Sequence, residues 1–268
     1  GQAAAAPEVP PGVSLSTPVT LGATASGRID VRGEVRYRSL AGEHRTTFSG
    51  SCEAVAPGHF ARAENPYVVG KPLAAGSAMF FGREQELAFV LRALSSGESG
   101  AVAALVGPRR CGKTSLLRQL EARLRGWHRP IFIDMQGLLV SGVTAFFQEL
   151  ARRIAGDDYP LRSDDVSGAD LVRDAADQSE RVVLLLDEFD DLAEKVRLGR
   201  LSQEVFGQLR NLLQHSPNLS VVLCGSQRLE ELAGDYWSFL LNLAVYCPLG
   251  PLEEAAAREV IAAPLARL

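Results

Sequence analysis

Two patterns of apolar and polar residues divide this chain. Between residues 28 and 38 apolar and charged side chains alternate strictly, and the alternation resumes between residues 45 and 54 after a turn at residues 40–43. Such alternation predicts a hairpin of two strands with one buried face. The residues assigned to that inner face are Ile29, Val31, Val35, Tyr37, Phe48, Cys52 and Ala54. With a further strand at residues 13–21, we expect residues 13–60 to form a β-rich segment or part of a β-sandwich.

From residue 79 onward, amphipathic helical patterns alternate with short, continuously apolar runs. Runs of this kind are typical of parallel strands that are buried on both faces. The pattern therefore predicts an α/β fold, with a doubly wound parallel sheet of five strands over residues 79–268. The predicted strands are residues 101–106, 129–134, 181–186, 220–225 and 243–247. The Ala- and Pro-rich residues 1–12 and the Pro-containing residues 61–78 are predicted to be linkers.

Composition narrows the class of protein. The 268 residues are 46% hydrophobic with a net charge of −4, which fits a globular protein and gives no electrostatic footprint for nucleic acid. The four cysteines have no metal-ligand spacing, which favours reduced thiols and a cytoplasmic location. The stretch that comes nearest to a membrane span, residues 237–245, is too short to cross a bilayer, so no membrane contact is expected. A first residue other than Met suggests a trimmed or internal piece.

Residues 107–114 match the motif G-x-x-x-x-G-K-[ST] between a predicted strand and a predicted helix. Glycines allow successive backbone N–H groups to surround an anion at the positive end of the helix dipole. Lys113 is then expected to reach the β- and γ-phosphates, and the Thr114 hydroxyl to ligate Mg²⁺. The residues assigned to nucleotide contact are Gly107, Pro108, Arg109, Arg110, Cys111, Gly112, Lys113, Thr114 and Ser115.

A second motif places two acids at the end of a buried strand. The apolar residues 182–186 lead into Asp187 and Glu188. Ligands of open α/β sheets bind at the carboxyl ends of the strands. We expect Asp187 to hold the Mg²⁺ shell and Glu188 to polarise a water against the γ-phosphate. Asp190 and Asp191 are expected only to enrich the first turn of the next helix in negative charge.

Two segments carry a resemblance to a known group of proteins. Phe81-Gly82-Arg83-Glu84-x-Glu-Leu, upstream of the loop, resembles the entry segment of STAND and AAA-like ATPases, a group that includes archaeal-type ATPases and origin-recognition initiators. The Arg-Arg pair before Gly-Lys-Thr-Ser-Leu-Leu looks like the bacterial members. The resemblance implies ATP as the nucleotide and implicates Phe81, Gly82 and Arg83 in contact with adenine. The lack of an Asn-Lys-x-Asp guanine motif agrees with ATP.

The end of the fourth predicted strand is similar to the first sensor of these ATPases. Ser226 there would contact the γ-phosphate or the attacking water. For Arg228 two interpretations stay open: it contacts the γ-phosphate or the attacking water as well, or it is a solvated arginine at the start of a helix. The chain ends at Leu268, where the lid of this group would begin, so the core is expected to lack most of its lid.

The sequence therefore predicts an ATP-binding switch with slow, Mg²⁺-dependent hydrolysis, in bacterial signalling or defence. One alternative is a DNA-associated initiator or transposition-helper ATPase, and another is a nucleotide-binding scaffold without turnover. Self-association, or a partner protein bound through the ATPase core, is expected. No arginine is placed with assurance at the γ-phosphate, so we expect hydrolysis by this chain alone to be very slow.

Overall fold

The computed structural model describes residues 27–39, 42–54, 65–95, 100–159, 167–178, 181–226 and 242–266. The chain divides into two compact units, Gly1–Asn65 and Pro66–Leu268. The linker predicted at residues 1–12, the strand predicted at residues 13–21 and Arg228 lie outside the described residues.

The first unit contains a long antiparallel hairpin. Strands β1 (Gly27–Ser39) and β2 (Gly42–Ala54) pair along their whole length, with Gly33 opposite Phe48. A Cβ atom at Gly33 would lie 2.3 Å from the Phe48 ring, so this aromatic side chain occupies the space above the glycine. The ring of Tyr37 stacks on the ring of His44, its cross-strand neighbour, with 5.0 Å between the centroids.

The burial predicted for the inner face of this hairpin is wrong at several positions. The exposed fractions of Val35, Tyr37 and Phe48 are 45%, 53% and 51%, and Cys52 is exposed. Alternation of apolar and charged residues indicates that one face of a strand is apolar and the other is polar. It does not tell whether another layer covers the apolar face, and within the described residues of this unit only the cross-strand partners shield it.

The second unit is built on a parallel sheet of five strands. They are β3 (Val102–Val106), β4 (Arg129–Asp134), β5 (Val182–Asp187), β6 (Leu219–Gly225) and β7 (Ala244–Pro248). Their order across the sheet is β4-β5-β6-β3-β7, and each neighbouring pair runs parallel. The predicted five-stranded parallel sheet is confirmed, and β6 lies between the strands that precede the two motifs.

Helices cover both faces of this sheet, as the doubly wound prediction requires. The helices are α1 (Glu84–Ser95), α2 (Lys113–Leu124), α3 (Val143–Ala155), α4 (Gly168–Asp177), α5 (Asp190–Arg197), α6 (Glu204–His215) and α7 (Glu254–Leu265). Neighbouring residues of β3 enter different cores. Ala104 packs with α3, α4 and α6, whereas Ala103 and Leu105 pack with α1 and α2. These two apolar layers fix the sheet from both sides.

The segment before α1 lies against α2. The Ser115 hydroxyl accepts a hydrogen bond from the Leu73 N–H at 3.0 Å. The Gln119 amide accepts one from the Gly76 N–H at 2.9 Å and donates one to the Ala74 carbonyl at 2.8 Å. Residues 66–78, which the sequence analysis assigned to a linker, thus form part of the second unit.

Candidate active site

The loop between β3 and α2 is held by the ends of the neighbouring strands. The Gly107 N–H donates to the Gly225 carbonyl at 3.3 Å, and the Leu249 N–H donates to the Val106 carbonyl at 2.7 Å. A Cβ atom at Gly107 would lie 2.4 Å from the Leu249 carbonyl oxygen, so only glycine fits there. Gly112 caps α2 with a φ of 93°, a conformation that favours glycine. The two glycines of the motif are therefore required for different reasons, Gly107 for lack of space and Gly112 for its backbone conformation.

Lys113 lies inside the loop. The residue is buried, with 5% of its surface exposed. Its ammonium donates hydrogen bonds to the carbonyls of Gly107 at 3.1 Å and Pro108 at 3.0 Å. A buried ammonium needs such acceptors because desolvation penalises an unpaired charge. The same hydrogen bonds place a positive charge against the backbone of the loop, the part that surrounds a phosphate in loops of this type.

Asp187 is buried at the end of β5, with 4% of its surface exposed. Its carboxylate accepts the Glu188 N–H at 3.1 Å. Burial, followed by the charge of Asp187 and a hydrogen bond from the thiol to that carboxylate, raises the pKa of Cys224 on β6. Cys224 is therefore a neutral donor to Asp187 and holds the carboxylate from the side of the central strand.

Glu188 has an unusual backbone and an unusual acidity. Its φ is 48°, in the left-handed region that residues with a side chain rarely adopt. Burial raises the pKa of its carboxyl, and so do the charges of Asp187 and Asp190, whereas the charges of Lys113 and Arg109 lower it. The cations of the loop thus lie close enough to Glu188 to act on it, so the structure brings the two motifs together.

Asp190 has a role that the sequence analysis missed. Its carboxylate accepts two hydrogen bonds from Ser226, one from the N–H at 3.3 Å and one from the hydroxyl at 2.7 Å. The Phe189 N–H also donates to the Cys224 carbonyl at 2.8 Å. Asp190 therefore joins the end of β6 to the turn that carries Glu188. The polar ends of β5 and β6 meet because the two strands are neighbours in the sheet. The contact between Asp190 and Ser226 could not be predicted, since the sequence pattern does not give the order of the strands.

A cavity of about 780 Å³ opens beside the loop. It is lined by Val68, Val69, Gly70, Lys71, Pro72, Arg109, Arg110, Gly112, Lys113, Thr114, Ser115, Gln136 and Glu188. The lining includes six of the residues expected to contact nucleotide, together with Gln136 and residues 68–72, which were not predicted. Among the described residues, the two with side chains and a positive φ are Arg110 and Glu188, and both line this cavity. Strained backbone of this kind concentrates at functional sites.

Arg83 packs beneath the loop. It is 5% exposed, and its guanidinium donates to the Cys111 carbonyl at 3.2 Å, to the Gly250 carbonyl at 2.5 Å and to the Glu86 carboxylate at 2.6 Å. Gly82 and Arg83 line a second cavity of about 520 Å³ with α1, β7 and the start of α7. Through these hydrogen bonds Arg83 stabilises the position of the phosphate loop against the segment after β7. Contact of Phe81, Gly82 and Arg83 with adenine stays a prediction.

The oxygen atoms of Thr114 and Asp187 suit Mg²⁺. This hard cation prefers oxygen ligands and usually takes one or two from the protein, the others coming from phosphates and water. No cluster of three or more His, Cys, Asp or Glu side chains able to enclose a metal occurs among the described residues. The donors therefore fit a magnesium ion that arrives with a nucleotide, and they do not form a closed metal cage.

The parallel sheet, the phosphate loop and the two acids at the end of β5 define a P-loop nucleotide-binding protein. A model of the AAA domain family matches residues 97–233, just over half of the chain, and the chain belongs to this family of P-loop ATPases. No curated protein matches the sequence. Within the part of the chain that is described, no helix is both long enough and apolar enough to cross a bilayer.

Solved structures share the fold. The Walker-type ATPase PABY2304 of Pyrococcus abyssi is 18% identical, with a TM-score of 0.51 over 72% of this chain and 59% of that one. The Aeropyrum pernix ORC1 protein in complex with DNA is 21% identical, with a TM-score of 0.51 over 70% and 50%. The Aeropyrum pernix ORC2 protein in its ADP form is 13% identical, with a TM-score of 0.53 over 75% and 56%. The present chain spans half to three fifths of these structures.

Proposed function

We propose that this protein binds ATP with Mg²⁺ and hydrolyses it slowly, and that the bound nucleotide sets the conformation of the domain. The observation that carries the proposal is the convergence of the phosphate loop and Glu188 on one cavity. Lys113 and Arg109 act on the Glu188 carboxyl, and this acid lies directly after the buried Asp187. A nucleotide-binding scaffold without turnover needs no acid of raised pKa at that position.

Each residue of the site has a role in this proposal. Lys113 exchanges the carbonyls of Gly107 and Pro108 for phosphate oxygens and neutralises their charge. Thr114 and Asp187 hold the magnesium ion, which when bound offsets the negative charge of the phosphates. Glu188 accepts a hydrogen bond from the attacking water and orients it.

Ser226 connects the chemistry to the rest of the domain. Its hydroxyl donates to Asp190, whose charge also acts on Glu188. A change in hydrogen bonding at the γ-phosphate therefore reaches the end of β6 through two residues. In nucleotide switches, segments that contact the γ-phosphate usually change their order or position when this phosphate is lost.

Bacterial signalling or defence in the cytoplasm, through self-association or a partner protein, is the biological role that we propose. DNA-associated initiation is the second candidate, because ORC1 of Aeropyrum pernix, which shares the fold, was solved in complex with DNA. The net charge of −4 favours the first. Titration of labelled duplex DNA at low and moderate salt, with and without ATP, separates the two. ATP-dependent binding in the micromolar range would support the DNA role.

Calorimetry with ATP and Mg²⁺, followed by single-turnover phosphate release, tests the proposal. We expect Lys113→Ala to lower ATP affinity at least about tenfold, since a charge-assisted contact to phosphate is lost. Glu188→Gln should keep the affinity and abolish turnover, whereas Asp187→Asn should weaken the Mg²⁺-dependent part of binding. Wild-type affinity in the Lys113→Ala protein, or unchanged phosphate release in Glu188→Gln, would contradict these roles.

A further inference from the structure

Residues 67–73 connect the last helix of the second unit with the helix that follows the phosphate loop. At one end the Tyr67 hydroxyl donates a hydrogen bond to the Ile261 carbonyl of α7 at 2.5 Å. At the other end the Leu73 N–H donates to the Ser115 hydroxyl of α2 at 3.0 Å. The strap, as we call residues 67–73, is thus tied to a different helix at each end.

The middle of the strap forms one wall of the cavity beside the phosphate loop. Residues 68–72 line this cavity together with residues of the loop. The side chains of Val68 and Val69 are apolar, and these two residues are 51% and 80% exposed. A ligand in the cavity covers part of this apolar surface, which favours binding. A bound nucleotide therefore contacts the segment that joins α2 to α7.

The two ends of the strap lie on helices that differ in how firmly they are held. Directly after the strap, Gln119 of α2 makes hydrogen bonds with Ala74 and Gly76, and half of the residues of α2 are buried. In α7, by contrast, all of whose residues are described, only Pro264 is buried. An element with so few buried residues opens locally at low cost. The α7 end of the strap is therefore the end that can move.

The hydrogen bond from Tyr67 reaches a weak part of α7. Pro264 lies inside this helix and has no N–H to donate to the Val260 carbonyl, four residues earlier. Ile261, whose carbonyl accepts the hydrogen bond from Tyr67, is the next residue. Because the proline removes a hydrogen bond of the helix at this point, a hydrogen bond supplied from outside contributes more to keeping the last turns of α7 closed.

We propose that the strap couples the nucleotide cavity to α7, and that Tyr67 transmits this coupling. The inference rests on the proposed binding of nucleotide in the cavity and extends it. A nucleotide that packs on Val68 and Val69 holds the strap in place, which keeps the Tyr67 hydroxyl on the Ile261 carbonyl. In the absence of nucleotide the strap is held less firmly, and the last turns of α7 open more often. By linkage, closed α7 strengthens nucleotide binding by the same factor.

The test compares Tyr67→Phe with Tyr159→Phe. The Tyr159 hydroxyl donates to the Leu171 carbonyl of α4 at 3.3 Å, so the control loses the same kind of hydrogen bond at another helix. Hydrogen exchange is measured with and without saturating Mg²⁺ and ATPγS, a slowly hydrolysed analogue. In the wild type the nucleotide should slow exchange in the last two turns of α7 about fivefold, the effect of one hydrogen bond. Tyr67→Phe should abolish this response, and Tyr159→Phe should keep it.

Affinity provides a second readout, because coupling between two sites is reciprocal. Among the described residues that line the cavity, Tyr67 does not occur. Tyr67→Phe should nevertheless bind ATPγS about fivefold more weakly in calorimetry, by the same factor as the lost protection of α7. Tyr159→Phe should bind within about twofold of the wild type. Urea unfolding of both variants without nucleotide measures how much stability each loses, and a merely structural role for Tyr67 would leave the response of α7 to nucleotide intact.

The outcomes separate this inference from the proposed function. If the wild type does not bind ATPγS, the proposed function fails and the coupling fails with it. If the wild type binds the nucleotide but exchange in α7 does not change, or changes equally in Tyr67→Phe, only the coupling is overturned. A weaker affinity of Tyr67→Phe with an unaltered response of α7 would assign Tyr67 to the cavity itself and would also overturn the coupling.

Discussion

At the scale of the residue, Glu188 combines a strained backbone with a disfavoured charge. A left-handed conformation at a residue with a side chain costs about 1–3 kcal/mol and persists only where the surroundings impose it. The surroundings here are the hydrogen bonds from the Phe189 N–H to the Cys224 carbonyl and from Ser226 to Asp190, on either side of the turn. Stability is therefore sacrificed at this position, which is typical of a residue kept for function.

The raised pKa of Glu188 predicts how its replacement alters stability with pH. Below the ordinary pKa of 4.5 the carboxyl is neutral in both the folded and the unfolded chain, so Glu188→Gln should then change the free energy of unfolding little. As the pH rises from this value through the raised pKa, the unfolded chain loses the proton more readily than the folded chain does, so the folded state loses stability. The Gln variant should therefore become the more stable protein at neutral pH. Urea unfolding without nucleotide at pH 4 and pH 7 measures this, and a variant that is less stable at pH 7 would contradict it.

Motif residues could be predicted from the sequence because their chemistry demands particular residue types at fixed spacing. Lys113 needs the loop, and Glu188 needs the end of a buried strand. The bonds between Asp190 and Ser226, residues that lie 36 positions apart, could not be predicted. They depend on which strands are neighbours, and the local pattern does not carry that information.

At the scale of the element, periodicity identified the helices and strands of the second unit, since buried parallel strands and amphipathic helices have distinct patterns. It failed for the hairpin of β1 and β2, where alternation was taken as evidence of a buried face. Val35 and Phe48 have the apolar character of core residues but are half exposed. Sequence pattern indicates which side chains share a face, whereas burial depends on a second layer.

The contact between Gly82 and α7 makes a prediction at this scale. Gly82 and Gly199 both have a φ of 69°, but an added Cβ at Gly82 would lie 2.2 Å from the Cβ of Ala256, whereas nothing lies within 4 Å of one at Gly199. Gly199→Ala should cost only about 1 kcal/mol for the left-handed backbone. Gly82→Ala should cost roughly 1–3 kcal/mol more, because α7 has to move. Denaturant unfolding compares them, and equal losses would show that α7 adapts freely.

At the scale of the whole molecule, every described residue assigned to the site belongs to the second unit, Pro66–Leu268. We therefore predict that residues 66–268 alone bind ATP and Mg²⁺ with the affinity of the full chain, within about twofold. Calorimetry on the two chains measures this, with Lys113→Ala in the shorter chain as the control for specific binding. An affinity lower by a factor of ten would show that the first unit contributes to the site.

The position of β3 has a consequence for how the chain is made. β3 is the first strand of its sheet to leave the ribosome, yet its two partners, β6 and β7, are the last. All five of its residues are apolar and buried in the finished sheet, so both edges of an aggregation-prone strand stay open while more than a hundred residues are added. Nascent chains stalled before β6 should therefore bind general chaperones strongly, and release from them should begin only after β7 has emerged.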